Sequence, residues 1–184
     1  PEMRAASMVI GQALQQPFFT EMRTNQQLGY IVWSYTRTRD KTHYLSFVIQ
    51  SGAFTADDVN QRADDFIAST PELLAAMDNE TFQQLKESAI EQLEKKPMSI
   101  SERANKFQTL IFEHDADFQR DEKTIAALEK LQQSSATELL LNTIGTDTRR
   151  MVNFIMFAEQ HKNTTGVKST LNELNTWKAL RSYR

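Results

Sequence analysis

The segment from Pro17 to Val32 constrains the fold of this chain more than any other. Proline has no backbone N–H, so Pro17 ends or kinks the preceding helix and is expected to start a second, short one. That helix ends before Gly29, and a strand opens at once with Tyr30. The turn therefore holds Arg23 and this tyrosine on either side of it. Both side chains donate hydrogen bonds, which suits peptide carbonyls or a developing oxyanion, but no nucleophile or base accompanies them.

The composition argues against several classes of partner and site. A net charge of −3 gives no electrostatic reason to expect a nucleic acid or an anionic membrane as partner. The absence of cysteine removes disulfides, thiolate zinc sites and cysteine nucleophiles together. No apolar run approaches the ~20 residues of a membrane span. We therefore expect no nucleic-acid partner and no membrane partner. A chain of 184 residues is long enough to form one buried hydrophobic core.

Hydrophobic periodicity predicts a helix followed by a hairpin. Residues 4–16 carry apolar side chains at helical spacing. Residues 30–38 and 42–51 are rich in β-branched and aromatic side chains, and residues 39–41 between them resemble a hairpin turn. On the second strand, one face is expected to point to the core through Leu45, Phe47 and Ile49.

From residue 55 onward the period becomes helical. Capping residues predict helix starts at Thr55, Asp78 and Ser99. Pro71 is expected to start a further turn, and one helix is expected to end before Pro97. Two more helices follow, with Leu128 and Leu131 in the first and Leu139, Leu140 and Ile144 in the second, which closes at Gly145. The apolar run from Met151 to Ala158 predicts a buried returning strand.

This order of elements predicts an α+β fold, a two-layer sandwich of a mainly antiparallel sheet with helices packed on one face. Residues 1–160 are expected to form a single domain, and residues 161–184 a C-terminal tail that can dock as a short helix. Because the chain opens with Pro1 and three strands are few for so many helices, we expect an excised piece that lacks its first strand.

Specific sequence runs accompany the turn between Arg23 and Tyr30. They are PFF at 17–19, RTNQQLGYIV at 23–32, FVIQS at 47–51 and KKPMS at 95–99. On these runs the chain resembles the last domain of the insulinase/pitrilysin family of zinc metallopeptidases. The R-T-x-x-Q-L-G-Y core is the most specific of them, and the likeness extends from the first helix to Ala158.

That resemblance implies a division of labour between domains. Members are built from four similar α+β domains in two halves that enclose a chamber. The first domain holds zinc through an inverted H-x-x-E-H motif, whose glutamate is the general base on zinc-bound water. The fourth domain holds no metal and lends two residues to the cleavage site. By motif position these are Arg23, which contacts substrate backbone, and Tyr30, which hydrogen-bonds the tetrahedral intermediate.

The histidines of this chain depart from the zinc motif. None of the three, His43, His114 and His161, begins H-x-x-E-H. We therefore expect this piece to bind no zinc or other cofactor and to be inactive alone, with the zinc in the catalytic domain of a larger metalloendopeptidase. Its expected partners are a peptide substrate and either the N-terminal catalytic half of the same polypeptide or a separate catalytic subunit. The resemblance implies a periplasmic location, with the cytoplasm as the alternative.

Structural interpretations compete with these roles. Tyr30 is alternatively a strand aromatic packed on a helix, and Arg23 a solvated arginine near a helix end. Trp33 and Tyr35 share one sheet face and either line the chamber or pack in the core. For the whole chain the alternative is a non-catalytic scaffold or protein-interaction subunit of the same fold, in which the Arg–Tyr pair would serve no purpose.

Overall fold

An antiparallel hairpin lies against a long helix, and further helices complete the core on that side, in a computed structural model that describes residues 1–39, 42–145 and 149–157. The predicted α+β fold, with helices packed on one face of an antiparallel sheet, is confirmed. In chain order the elements are α1 (Glu2–Phe19), a π turn (Thr20–Asn25), β1 (Ile31–Arg39), β2 (Thr42–Gln50), α2 (Ala56–Ala75), α3 (Asn79–Glu94), α4 (Ile100–Glu113), α5 (Arg120–Lys130) and α6 (Gln133–Ile144).

The hairpin register gives the sheet an inner and an outer face. The strands pair antiparallel from Ile31 opposite Gln50 to Arg39 opposite Thr42, and side chains alternate between the faces. The predicted core face of β2 is confirmed, because its three apolar side chains pack against buried residues. The turn residues 40–41 lie outside the described residues.

Helix α1 forms the centre of the core. Its small residues let the backbone approach the sheet, and a Cβ added to Gly11 would lie 2.7 Å from the Cγ2 of Thr36. At the end of this helix, Phe18 is fully buried and packs edge-to-face on Phe47 and Phe66, with ring centroids 4.8 and 5.2 Å away. This second apolar cluster also contains Met22, Leu28 and Val32, so it lies directly under the turn that the sequence singles out.

The predicted helix starts are confirmed by their caps. Thr55, Asp78 and Ser99 each accept a hydrogen bond from the backbone N–H three residues on, at 3.2, 2.8 and 3.1 Å. Each bond satisfies an N–H that has no partner within the helix. The last helix closes before Gly145, as predicted, whereas Leu131 follows α5 as its cap residue.

Three prolines were predicted at helix boundaries, and α3 does end before Pro97, but the other two lie inside helices. Pro17 is within α1, which continues into the π turn, and Pro71 is buried within α2. An interior proline costs about 3 kcal/mol. Burying the two large side chains Phe18 and Met22 contributes roughly 1.5–3 kcal/mol each, enough to offset that cost. The predicted second helix starting at Pro17 is therefore wrong.

The returning strand predicted from Met151 to Ala158 is also wrong for residues 151–157. These residues form no strand, and the side chains of Val152, Phe154 and Met156 are mostly exposed. A strand forms only where the segment lies beside a sheet edge and pairs with it. Here the segment instead lies along α2, where Arg149 pairs with Asp64. Ala158, the predicted boundary at residue 160 and the tail 161–184 lie outside the described residues.

A membrane-crossing helix would need more length and apolar character than any helix in the described ranges possesses.

Candidate functional site

The π turn that follows α1 carries Arg23. Wider than an α-helical turn, it is closed by hydrogen bonds of 2.9 Å from the N–H of Gln26 to the carbonyl of Glu21 and from the N–H of Leu28 to that of Met22. Met22 is fully buried, whereas its neighbour Arg23 is half-buried. Single π turns of this kind occur often at functional sites.

Two unusual backbone positions connect the π turn to β1. Gln27 adopts a left-handed conformation with φ of 53°. Together with the bond from Leu28 N–H to Met22, this resembles the left-handed helix ending that glycine usually forms. Gly29 lies so close to β2 that an added Cβ would be 2.7 Å from the carbonyl carbon of Gln50. The chain path from Arg23 to Tyr30 is therefore fixed by backbone geometry.

Gln27→Gly is expected to raise the free energy of unfolding by about 0.5–1 kcal/mol. A left-handed conformation costs an L-residue roughly 1–2 kcal/mol, and the greater freedom of glycine in the unfolded chain cancels only part of that gain. Urea denaturation of the two forms measures the difference. Gln83→Gly, in the exposed interior of α3, is the matched control and is expected to lower stability by a similar amount. A lower free energy of unfolding in Gln27→Gly would contradict the claim that the left-handed backbone at Gln27 is strained.

The structure brings the two predicted site residues together. The guanidinium carbon of Arg23 lies over the ring of Tyr30, 5.6 Å from its centroid, within the range of a cation–π contact. Tyr30 is 85% exposed, so it is not an aromatic packed on a helix. The pair therefore presents a planar guanidinium and a phenolic hydroxyl on one open surface, where both can donate hydrogen bonds to an incoming molecule.

The outer face of the hairpin is also open. Trp33 and Tyr35 are 47% and 41% exposed, which excludes the alternative that they pack in the core. Tyr44 lies on the same face, one register position further along, opposite Arg37. An aromatic surface thus follows directly after the Arg23–Tyr30 pair in the chain.

A network of polar side chains braces the π turn and was missed by the sequence interpretation. The carboxylate of Glu21 accepts hydrogen bonds from the side-chain amides of Asn25 at 2.7 Å and Gln26 at 2.8 Å. The amide oxygen of Gln26 in turn accepts from Arg62 of α2 at 3.2 Å. Only the four-residue spacing of Glu21 and Asn25 signals part of this network in the sequence. The link to α2 spans 36 residues and leaves no local pattern.

A second polar cluster borders a cavity of about 680 Å³ between α1, the sheet and the end of α3, which Lys106 of α4 and Asp121 of α5 also line. Asp121 binds Arg4 at 2.9 Å and Lys106 at 2.7 Å. Burial raises the pKa of Asp121, but the hydrogen bonds from Lys106 and Arg4 lower it by more, so the net pKa is below its usual value. The ion pairs of Asp121 thus connect α5 to Arg4 of α1 and to Lys106 of α4.

The two histidines that the structure describes, His43 and His114, do not form a metal site. His43, on β2, shares a 2.9 Å hydrogen bond between its Nδ1 and the hydroxyl of Thr38, as expected for a half-exposed pairing residue. Burial lowers the pKa of His43, and the charges of Arg120 and Arg4 lower it further, which favours the neutral ring. His114 caps the end of α4, and His161 lies outside the described residues. In the described ranges, no three His, Cys, Asp or Glu side chains are grouped as metal ligands.

Known proteins share this arrangement of elements and sequence. Residues 9–108, more than half of the chain, match the family described as PQQ synthase PqqF-like, C-terminal lobe domain 4. Protease 3 of Salmonella typhimurium is 28% identical over 127 residues, which are 69% of this chain and 13% of that protein. Insulin-degrading enzyme of Drosophila melanogaster is 26% identical over 155 residues, which are 83% of this chain and 16% of that protein.

A solved structure shows the same fold. The crystal structure of pitrilysin superimposes with a TM-score of 0.68 at 24% identity, covering 75% of this chain and 15% of that one. The chain therefore spans only 13–16% of the length of these three proteins.

Proposed function

This chain belongs to the family of PQQ synthase PqqF-like C-terminal lobe domains, among the insulinase/pitrilysin metallopeptidases, and we propose that it serves such an enzyme as its substrate-contacting domain. In this proposal the parent protein is a zinc metalloendopeptidase. The domain closes one side of a chamber over an extended peptide and lends Arg23 and Tyr30 to the bond that is cut. Similarity to proteins named as a protease and an insulin-degrading enzyme supports a peptide as the substrate.

The observation that carries the proposal is the contact between Arg23 and Tyr30 on an open surface. The phenolic O–H of Tyr30 donates to the oxygen that becomes negative when a peptide carbonyl turns tetrahedral. A donor already aimed at that position needs no reorganisation as the charge develops. The planar fork of Arg23 binds a neighbouring backbone carbonyl and keeps the peptide in register. The braced backbone between the two residues holds both donors at one spacing.

Neither role asks this chain to hold a metal. Among the described residues the donors do not fit zinc, since His43 and His114 lie on different elements and no group of three His, Cys, Asp or Glu side chains surrounds either of them. We assign the zinc and the activation of water to another domain of the same polypeptide or to a separate catalytic subunit. The isolated chain is then expected to cleave no peptide. A periplasmic site of action is proposed by analogy with bacterial members of the family.

Arg23→Lys is the variant that tests the proposed substrate contact. A lysine keeps the charge but loses the planar fork, so we expect KM for a peptide substrate to rise about tenfold in the complete protein. The turnover number kcat should change by less than about threefold, because the contact is made before and during the reaction. Arg103→Lys on α4 is the matched control, since that guanidinium also lies 5.6 Å from an aromatic ring centroid. Unchanged kinetics with a lower unfolding free energy would show a structural arginine instead.

One feature favours the protein-interaction alternative. Helix α4 buries only Leu110, while Ile111 and Phe112 near its end remain exposed. An apolar helix face of this kind suits a contact with the remainder of a larger protein. This contact is compatible with the proposed peptidase role, in which the domain must join a catalytic half.

A further inference from the structure

We propose that Arg62 on α2 is a positioning residue for Arg23, acting through Gln26 and Glu21 to fix the π turn. The inference rests on the proposed function and deepens it, because it names the residues that set where the substrate-contacting arginine lies. None of these three side chains belongs to the Arg23–Tyr30 pair itself. Their hydrogen bonds connect the π turn to α2, which begins at Ala56.

Side-chain hydrogen bonds form a brace across the π turn. Glu21, at the start of the turn, accepts hydrogen bonds from Asn25 and Gln26 at its end. The hydrogen bond from Gln26 lowers the pKa of Glu21 most, and the bond from Asn25 lowers it further. Both bonds therefore favour the ionised carboxylate that accepts them. Arg23 lies between the braced ends. Because π turns are rare, we infer that the two side-chain bonds across this one help to hold its shape.

The side-chain amide of Gln26 is held in one orientation. Its nitrogen donates to Glu21 at 2.8 Å, and its oxygen accepts from Arg62 Nη1 at 3.2 Å. Both ends of the amide are therefore used, and reversing it would place a donor against a donor and an oxygen against a carboxylate. Gln26 thus couples the brace to α2 in one orientation.

The side chain of Arg62 is held in place by its own contacts. Its Nε binds Asp58, one turn earlier on α2, at 3.1 Å. Its guanidinium lies over the ring of Phe54, 4.9 Å from the centroid. Phe54 packs against the apolar cluster that contains buried Met22 and Leu28, which lie before and after Arg23 in the chain. The guanidinium is therefore held by its helix, by an aromatic ring and by Gln26, which lysine would not reproduce.

Arg62→Ala in the complete protein is expected to raise KM for a peptide about tenfold, with a smaller change in kcat. The loosened turn displaces Arg23, and even a shift of about 1 Å in a positioning group costs up to ~10² in rate. Amide hydrogen exchange at Gln26 and Leu28 should accelerate about tenfold, while exchange in α3 and α5 stays unchanged. Arg103→Ala is the matched control, because it removes a similar aromatic contact on α4 and is expected to alter neither readout.

A charge swap supplies a rescue. Gln26→Glu places two carboxylates together and removes the donor to Glu21, so its KM should rise about as far as that of Arg62→Ala. The double variant Glu21→Gln/Gln26→Glu restores every bond, since residue 21 then donates and residue 26 accepts from both neighbours. Its KM should return to within about twofold of the parent value.

The outcomes separate this inference from the proposed function. If Tyr30→Phe leaves turnover unchanged, the proposed function fails whatever Arg62 does. If Tyr30→Phe lowers turnover but Arg62→Ala matches Arg103→Ala in KM, this inference fails alone. A double variant as impaired as Gln26→Glu also overturns it, because a positioning network must respond to the restored bonds. Raised KM in Arg62→Ala with rescue by the swap supports it.

Discussion

Tyr30→Phe in the complete protein is expected to lower kcat for peptide hydrolysis by about 10²–10³. The substitution removes one hydroxyl from a ring that is 85% exposed, so the free energy of unfolding should stay within about 0.5 kcal/mol. Because the hydrogen bond forms as negative charge develops on the carbonyl oxygen, KM should change far less than kcat. Steady-state kinetics with one peptide, alongside urea denaturation, measure both quantities.

Tyr35→Phe is the matched control for that prediction. This tyrosine is 41% exposed on the outer face of β1, and it also loses only a hydroxyl. Its turnover is expected to remain within about twofold of the parent protein. Equal turnover in Tyr30→Phe and the parent would remove the phenol from the chemistry. A similar large loss in both variants would point to the sheet face rather than to one donor.

Gly29→Ala is expected to lower the free energy of unfolding by about 3 kcal/mol, the upper end of the usual cost of overpacking. The added methyl would press on the backbone carbonyl of Gln50, which the pairing of Gln50 with Ile31 holds in place. No flexible side chain can move to accommodate it, so the hairpin or the turn must shift. Either shift separates Arg23 from Tyr30, and peptide hydrolysis by the complete protein should fall as well.

Gly52→Ala provides the control for the glycine variant. A Cβ at this position, two residues beyond Gln50, would meet no atom within 4 Å. Its unfolding free energy is expected to stay constant or to rise by up to about 1 kcal/mol, because alanine has less freedom in the unfolded chain. Urea denaturation of both variants tests the difference. Equal stabilities would mean that the close approach at Gly29 is readily relieved.

Local signals predicted those parts of the fold that local chemistry decides. A Ser, Thr or Asp before an apolar helical pattern satisfies a free backbone N–H wherever the helix lies, so the three capped starts are confirmed. The alternation along β2 likewise identified its core face. The helix boundaries predicted at Pro17 and Pro71 are wrong because the effect of a proline depends on the burial of neighbouring side chains, which the local sequence does not reveal. The strand at 151–157 failed because strand formation depends on a partner edge.

The site shows the same limit. The sequence predicted Arg23 and Tyr30 as site residues with a turn between them, and the structure places the guanidinium over the ring. No pattern in the sequence predicts the π turn or the left-handed conformation of Gln27, since both depend on tertiary packing around buried Met22. The contact between Gln26 and Arg62 joins positions 36 residues apart, and a single sequence carries no periodic pattern at that distance.

A structure of the complete protein with a bound peptide analogue that mimics the tetrahedral intermediate tests the account most directly. The measured quantity is the distance from the Tyr30 hydroxyl oxygen to the oxyanion of the analogue. We predict about 2.7–3.1 Å, with the Arg23 guanidinium hydrogen-bonded to the peptide backbone beside it. A phenol turned away from the peptide, or a distance beyond about 6 Å in the closed protein, would contradict the role of this domain in the reaction.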